Sequence, residues 1–266
     1  MNGEMTDNLS LNGIKNHLGN DLADVFTIEL LDTVDSTNKL LKERGLCGAP
    51  AFSVAVSSRQ TAGRGRLGRG FVSPCGGVYM SVLVRLGGSA RDALSLTTAA
   101  AVAVCEALDS LGVKGHGIKW VNDIYMGGKK VCGILTEGVV SAENGALDFA
   151  VVGVGLNVYT PENGFADEIK DKAAAVFSEH KSGIMDKFTA EFLKAFYNFL
   201  TGEKNAHVSE YIRRNIVVGK CVTVAAAGGE REAFVTGIDN DCALLVRYAD
   251  GCEERLVSGE ISQLKI

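Results

Sequence analysis

Residues 119–135 read KWVNDIYMGGKKVCGIL. Two largely apolar runs flank the Gly127–Gly128 pair, which is a good dipeptide for a tight turn. The pattern predicts two strands folded about these glycines. Several charged and polar side chains are carried on the same two strands.

Three lysines and the pair Asn122 and Asp123 lie close together in this segment. Lys119 opens the first strand, and Lys129–Lys130 follows the turn. Asn122 and Asp123 supply oxygen atoms of the kind that Mg²⁺ accepts alongside nucleotide phosphates. Each lysine taken singly is more often a surface charge, and Trp120 is best explained by core packing. Together with further cations, the set suits the binding and splitting of a nucleoside triphosphate.

Hydrophobic periodicity outward from this hairpin predicts an α+β domain. The predicted elements are a strand, a turn and a helix in 27–45, strands in 51–59, 76–86 and 146–158, and helices at 92–111 and 184–200. Ser36 or Thr37 is the expected N-cap of the first helix. After about Gly219, short strands separated by GG, DND and DG turns predict a small all-β barrel.

Residues 60–71, QTAGRGRLGRGF, form a loop rich in glycine and arginine. GRGRLG matches G-x-G-x-x-G, but the residues that follow cannot start the helix that this motif requires. A P-loop fails as well, because Arg69–Gly70 stands where Lys-Ser/Thr is needed. A solvated basic loop explains the composition about as well as a binding site does. The alternation of close-approaching glycines with planar arginine forks favours a loop that closes around an anion.

Composition bounds the class of protein. The chain has 266 residues, is 46% apolar and carries a formal net charge of −5, which disfavours a general nucleic-acid binder. Its 7 cysteines are scattered without a CxxC pair, as expected of reduced thiols in a cytoplasm. The start lacks the pattern of a signal peptide, and no apolar run is expected to reach membrane-spanning length. We therefore expect a cytoplasmic protein that does not bind membranes.

The segment DSTN, residues 35–38, forms a helix N-cap and would equally suit an uncharged polar ring. DSTN, QTAGRGRLGR and KWVNDIYMGGKKVCGIL, followed by VVGVGLNV at 151–158, closely resemble the biotin protein ligases. The resemblance covers about residues 28–160 with specific motifs. It continues more loosely to GEIS at 259–262, which resembles the end of that family's small SH3-like barrel.

The resemblance implies an α+β fold with a central mixed sheet and helices, plus a small C-terminal SH3-like β-barrel. The implied boundaries are an N-terminal linker or short helix at 1–27, a catalytic domain at 28–216 and the barrel at 217–266. Some relatives carry an N-terminal DNA-binding domain, for which about 27 residues are too few. We expect no operator binding.

The resemblance also implies a reaction in two steps. ATP and biotin would give biotinyl-5′-AMP and pyrophosphate, with Mg²⁺ as the cofactor. A lysine on the biotin carboxyl carrier domain of a biotin-dependent carboxylase would then accept the biotinyl group. A homodimer and the identity of the acceptor stay open.

Matching the motifs residue by residue implies four sets of site residues. The biotin set is Ser36, Thr37, Asn38, Gln60, Gly63, Arg64, Gly65, Arg66, Lys130 and Gly133. The ATP set is Arg64, Arg69, Phe71, Lys119, Asn122, Gly153, Gly155 and Asn157. The catalytic set is Lys119, Lys130 and Arg66, and the magnesium ligands are Asn122 and Asp123.

Three positions depart from the family pattern. Val121 stands where proline is usual, Leu67 replaces a common arginine, and Phe71 stands where some members have tryptophan. None of these changes removes a group assigned to catalysis, so we expect an active enzyme.

Three other functions remain as alternatives. A lipoate or octanoate ligase of the same fold would carry a glycine-rich SGGGAV-like segment, which this sequence lacks. A nucleic-acid-binding module would need a basic surface and more aromatic side chains than 7%. A non-catalytic biotin sensor is disfavoured by the presence of Lys119 and Lys130.

Overall fold

The computed structural model describes residues 7–85, 92–141, 145–226 and 229–263. The α-helices in these ranges are Leu11–Leu18 (α1), Asn20–Ala23 (α2), Thr37–Leu46 (α3), Asp92–Ser110 (α4), Ile184–Thr201 (α5) and Val208–Arg214 (α6). The first strands are Thr27–Leu31 (β1), Ser53–Ser57 (β2), Gly77–Val84 (β3), His116–Lys119 (β4), Asp123–Met126 (β5), Lys129–Val140 (β6) and Leu147–Asn157 (β7). Cys221–Ala226 (β8), Gly229–Ile238 (β9), Leu244–Tyr248 (β10), Glu253–Leu256 (β11) and Glu260–Gln263 (β12) follow.

Strands β1 to β7 form a mixed sheet in the order β1-β2-β3-β7-β6-β5-β4. β1 and β2 pair in parallel, and the other neighbours are antiparallel. β3 is buried along its whole length, and β-branched and aromatic side chains of this kind pack well on a pleated surface. The predicted central mixed sheet with helices is confirmed.

The stretch 119–135 contains parts of three strands, so the prediction of two strands was wrong. β4 ends at Lys119 and β5 begins at Asp123, and these two residues pair across a short reversal. The chain leaves the strand direction there because Trp120 and Val121 pack into the core, where they are 3% and 4% exposed. The second hairpin forms around the two glycines as predicted.

Helix α4 lies in the core, packed against α5 and β6. Residues 99–105 are all buried, and their small side chains allow close packing. Residues 93–110 form a stretch that is long and apolar enough to cross a membrane. The prediction that no apolar run reaches that length was therefore wrong for this helix. In this fold 61% of the stretch is buried inside the protein, as in a core helix.

The C-terminal strands form a separate antiparallel sheet in the order β11-β10-β9-β8-β12. It contacts the first domain through Trp120, whose indole Nε1 donates to the carbonyl of Cys242 at 3.0 Å. The hydroxyl of Tyr211, on α6, donates to the carbonyl of Val121 at 3.0 Å. Both bonds fix the reversal between β4 and β5. The predicted small β-domain is confirmed as a fold class.

The N-terminal segment, expected to be a linker or a short helix, contains α1. Ser10 is the N-cap of α1, and its Oγ accepts from the backbone N–H of Gly13 at 3.0 Å. The carboxylate of Asp186, on α5, accepts from the backbone N–H and the hydroxyl of Ser10 at 2.7 and 2.8 Å. Ile14 and Leu18 are buried, so α1 packs on the helical layer of the first domain.

Asp7 is a buried carboxylate, 6% exposed, that joins the N-terminal segment to α5. It accepts from the hydroxyl of Tyr159 at 2.8 Å and from the backbone N–H of Gly183 at 2.8 Å. It also accepts from the backbone N–H of Met185, in the first turn of α5, at 3.0 Å. A carboxylate near a helix N-terminus is favoured by unpaired N–H groups and by the helix dipole.

We predict that Asp7→Ala lowers the free energy of unfolding by about 3 kcal/mol, because several buried donors lose their acceptor. Urea unfolding followed by far-UV circular dichroism measures the change. Glu179→Ala removes an exposed carboxylate and serves as the control, with an expected change below about 0.5 kcal/mol. Equal unfolding midpoints for the two variants would contradict the proposed cap.

Candidate active site

A pocket of about 440 Å³, including its open mouth, lies between the first turn of α3, the loop at 60–73 and strands β3, β6 and β7. The residues that line it are Ser36, Thr37, Asn38, Gln60, Arg64, Gly65, Arg66, Phe71, Met80, Asn122, Lys130, Gly133, Ile134, Leu135, Gly153, Val154 and Gly155. The three sequence motifs therefore meet in one place.

The first turn of α3 brings uncharged polar groups to the pocket. Ser36 is the N-cap, as predicted, and its side chain accepts from the backbone N–H of Lys39. The cap orients the next two residues, Thr37 and Asn38, which are 3% and 4% exposed. Short polar side chains in this position satisfy helix N–H groups that would otherwise lack a partner.

Polar groups at this end form a continuous network. Gln60 Oε1 accepts from the backbone N–H and the hydroxyl of Thr37 at 2.9 and 3.2 Å. Gln60 Nε2 donates to Ser73 Oγ at 2.9 Å. Ser81 Oγ lies 2.8 Å from Thr37 Oγ1 and 2.6 Å from Asn38 Oδ1. The side chains of this network are all uncharged, and the carboxylate of Glu137 contacts the network through Asn38.

The floor of the pocket is bare backbone. Gly133 on β6 pairs with Gly155 on β7, and Gly153 lies two residues away on the same strand. A Cβ on Gly153 would lie 2.0 Å from Asn38 Oδ1, and a Cβ on Gly155 would lie 2.5 Å from the ring of Phe71. Both distances are shorter than non-bonded contact, so no other residue fits without displacing these side chains.

The loop folds as a small hairpin over the pocket. The N–H of Phe71 donates to the carbonyl of Gly63 at 2.8 Å, and that of Gly65 donates to the carbonyl of Arg69 at 2.7 Å. Its tip contains a short 3₁₀ turn in which Leu67 has a φ of 55° and is 74% exposed. The tip of the loop, with the side chain of Leu67, therefore faces solvent.

Each arginine of the loop contacts a different element. Arg64 pairs with Glu137 of β6 at 3.1 Å, and Arg69 pairs with Glu260 of the C-terminal sheet. Arg66 Nη1 donates to the neutral side chain of Asn122 at 3.1 Å. Among the contacts described, two arginines face carboxylates and Arg66 faces an amide, so its positive charge is the least compensated of the three.

Lys130, on β6, also lines the pocket. Its Nζ lies 2.6 Å from Asp123 Oδ1 and 5.5 Å from the ring centroid of Phe71. Lys119, on β4, lies 3.5 Å from the hydroxyl of Tyr125. Burial lowers the pKa of Lys119, and the Asp123 carboxylate opposes that shift. A second anion beside Lys119 would raise its pKa again.

Most of the predicted site residues line this pocket, and five do not. Gly63 forms the base of the loop, and Arg69 points to the C-terminal sheet. Asn157, at the end of β7, donates to the carbonyl of Ala174 at 3.2 Å. The other two, Lys119 and Asp123, lie beside the pocket, where Asp123 pairs with Lys130. The roles assigned to all of these residues stay predictions.

Sequence reasoning missed Leu135, which lines the pocket, and also Ser81 and Glu137, which contact the lining residue Asn38. The two on β6 follow Gly133 at every second position, which places all three on one face of a strand. That period was visible in the sequence and could have identified them. Ser81 had no such signal, since it lies opposite Gly153 through the pairing of β3 with β7.

Phe71, a member of the predicted ATP set, lines the pocket. Its ring packs near Gly133 and Gly155 on the floor, with Tyr79 at 6.4 Å between centroids. Among the described residues, no group of three or more His, Cys, Asp and Glu side chains is arranged to hold a metal ion.

The fold is thus a mixed α+β sheet with a small C-terminal sheet, and its pocket joins uncharged polar side chains to Arg66 and Lys130. Residues 30–157 match the Biotin/lipoate A/B protein ligase family, and residues 217–263 match the Biotin protein ligase C terminal domain. The Bifunctional ligase/repressor BirA of Bacillus subtilis (strain 168) is 30% identical over 229 residues, which cover 84% of this chain and 70% of that protein.

Two further comparisons agree. The Biotin--[acetyl-CoA-carboxylase] ligase of Mycobacterium tuberculosis is 30% identical over 221 residues, covering 80% of this chain and 79% of that protein. The solved structure of the biotin protein ligase from Aquifex aeolicus in complex with biotin and ATP has a TM-score of 0.72 at 26% identity, covering 90% of this chain and 99% of that one. The chain belongs to the biotin protein ligases.

We predict that Gly153→Ala weakens the affinity for biotin, the ligand that gives the family its name, about tenfold because the new methyl group displaces the amide of Asn38. Isothermal titration calorimetry measures the dissociation constant. Gly237→Ala is the matched control, since its Cβ would meet its nearest neighbour at 3.9 Å in the C-terminal sheet. Unchanged affinity in Gly153→Ala would show that Asn38 does not contact the ligand.

Proposed function

We propose that this protein activates biotin with ATP as biotinyl-5′-AMP and transfers the biotinyl group to a lysine of a biotin carboxyl carrier domain. One observation carries the proposal: a single pocket joins an uncharged polar end, at Thr37, Asn38 and Gln60, to an end bearing Arg66 and Lys130. Biotin has a neutral ureido ring at one end and a carboxylate at the other. The family membership supports the same assignment.

The polar end favours biotin over lipoate. A ureido group offers two N–H donors and one carbonyl acceptor, which the hydroxyl of Thr37 and the amides of Asn38 and Gln60 complement. The dithiolane ring of lipoate offers neither. A ligand that enters this end replaces some of the hydrogen bonds between these side chains, and a ureido group can supply bonds in return whereas a dithiolane ring cannot.

The first step joins two anions. A carboxylate oxygen of biotin attacks the α-phosphorus of ATP, a new P–O bond forms, and the bond to the bridging oxygen breaks as pyrophosphate leaves. We propose that Arg66 and Lys130 hold the carboxylate and the α-phosphate together, and that Lys119 faces the other phosphates. Fixed positive groups in a partly enclosed site offset the repulsion and the charge that develops in the transition state.

The second step transfers the acyl group. The neutral amine of the acceptor lysine attacks the carbonyl carbon of the mixed anhydride, an amide bond forms, and AMP leaves with the bonding electrons. The amine releases its proton to solvent or to a neighbouring base. The hairpin over the pocket shields the anhydride from water until the acceptor arrives.

A magnesium ion suits the site as a companion of the phosphates. Mg²⁺ is commonly held by one or two carboxylates together with phosphate oxygens and water. Asp123 is the carboxylate at this end, and Asn122 adds an amide oxygen, although each already contacts a cation through Oδ1. The ion would neutralise phosphate charge when bound.

The decisive experiment measures pyrophosphate release with ATP and Mg²⁺ in the presence of either biotin or lipoate. A biotin carboxyl carrier domain is then added, and mass spectrometry locates the label on its lysine. We expect release with biotin and a labelled carrier. Pyrophosphate release with lipoate but not with biotin would indicate a lipoate ligase. No release with either acid, together with biotin binding, would indicate a non-catalytic sensor.

We predict that ATP affinity falls as pH rises through the lowered pKa of Lys119. Bound phosphates stabilise the ammonium, so ATP binds the protonated form more tightly, and that preference is complete below this pKa. Lys119→Arg keeps its charge throughout and should lose this part of the pH dependence. The KM for ATP between about pH 7 and about pH 10 gives the comparison.

Lys129→Arg is the matched control on β6, where Lys129 Nζ donates to the carbonyl of Lys170. It should keep the profile of the unmodified protein. If Lys119→Arg also keeps that profile, Lys119 does not face the nucleotide.

A further inference from the structure

Glu137 is a partly buried carboxylate that connects two parts of the pocket, and none of the motifs includes it. It lies on β6, and its side chain is 17% exposed. One oxygen, Oε1, lies 3.1 Å from Nη2 of Arg64 in the loop. The other, Oε2, accepts from Nδ2 of Asn38 at 2.9 Å. A single side chain therefore contacts both the uncharged polar end of the pocket, at Asn38, and the arginine loop, at Arg64.

The contact with Asn38 determines which way that amide points. Asn38 Nδ2 donates to Glu137 and to the carbonyl of Leu135, whereas Oδ1 lies 2.6 Å from Ser81 Oγ. Because the nitrogen faces two acceptors, the opposite orientation would bring oxygen against oxygen. Glu137 thus helps to hold the amide in the orientation that presents it to the pocket.

The contact with Arg64 holds the loop. Arg64 lies opposite Gly70 within the hairpin, so an ion pair at this point anchors both arms of the loop to the sheet. The pair also has an electrostatic role. An unbalanced carboxylate beside a pocket that takes an anion would repel the ligand, and the charge of Arg64 cancels that repulsion.

We propose that Glu137 is a positioning residue that orients Asn38 and closes the arginine loop through Arg64, and so sets how long the adenylate is retained. The proposal rests on the proposed function. In this proposal Arg64 holds the arginine loop against the sheet. Arg66, which contacts a neutral amide, is then the arginine that binds the phosphate of the adenylate.

The test is a double-mutant cycle with Glu137→Gln and Arg64→Gln. Glutamine keeps an acceptor for Asn38 and removes the charge. Each single variant should release biotinyl-5′-AMP about tenfold faster, as measured by dilution of the complex into excess unlabelled biotin and ATP. The double variant should be no faster than either single one, because both remove the same ion pair.

The orientation of Asn38 is tested separately with Glu137→Ala. This variant should raise the KM for biotin more than Glu137→Gln does while leaving the KM for ATP unchanged. Glu29→Gln removes a half-buried carboxylate that pairs with Arg44 outside the pocket lining and is the control, with release and KM unchanged. Thermal unfolding of every variant shows whether a change reflects general destabilisation.

The inference would be overturned if the release rates of the two single variants multiplied in the double variant. An unchanged rate of biotinyl-5′-AMP release in Glu137→Gln would also overturn it. If the unmodified protein forms no adenylate, the proposed function fails on its own. Biotin affinity measured by calorimetry then still decides the role of Glu137, since an unchanged dissociation constant in Glu137→Ala would refute it.

Discussion

The pocket depends on the close approach of Asn38, in the first turn of α3, to bare backbone at Gly153. A Cβ at that position would lie 2.0 Å from the amide oxygen, so the absence of a side chain is a steric requirement. Gly133 and Gly155 extend the same bare surface across two paired strands. A helix N-terminus can therefore face a flat floor, and a ligand can lie between the floor and the loop.

Charge is distributed unevenly around this floor. Arg64 and Arg69 face carboxylates from β6 and from the C-terminal sheet, whereas Arg66 donates to the neutral Asn122. Pairing two arginines secures the loop, and contact with an amide leaves Arg66 as the least compensated of its three positive charges. Arginine suits both tasks, because its planar fork binds carboxylates with defined geometry and stays charged.

Two segments that are distant in sequence from the pocket residues support the end of the pocket that carries Lys130. The backbone N–H of Lys130 donates to the carbonyl of Lys172, and its carbonyl accepts from the N–H of Ala174. Asn157 donates to the carbonyl of Ala174, so one segment braces β6 and the end of β7 together. On the other side, the C-terminal sheet binds Trp120 at the reversal before β5. The small domain thus supports the catalytic sheet and also contacts the loop.

Sequence alone determined the features that depend on neighbours along the chain. The cap at Ser36, the turn at Gly127–Gly128 and the arginine loop arise from local stereochemistry, so their residues and their order identified the family. Tertiary structure decided which groups meet. Asn38 and Glu137 are 99 residues apart, and Arg69 and Glu260 are 191 apart. Such pairs form because β3, β7 and β6 are neighbours in the sheet and because the C-terminal sheet packs beside the loop. Strand order is a property of the whole core, and no local pattern encodes it.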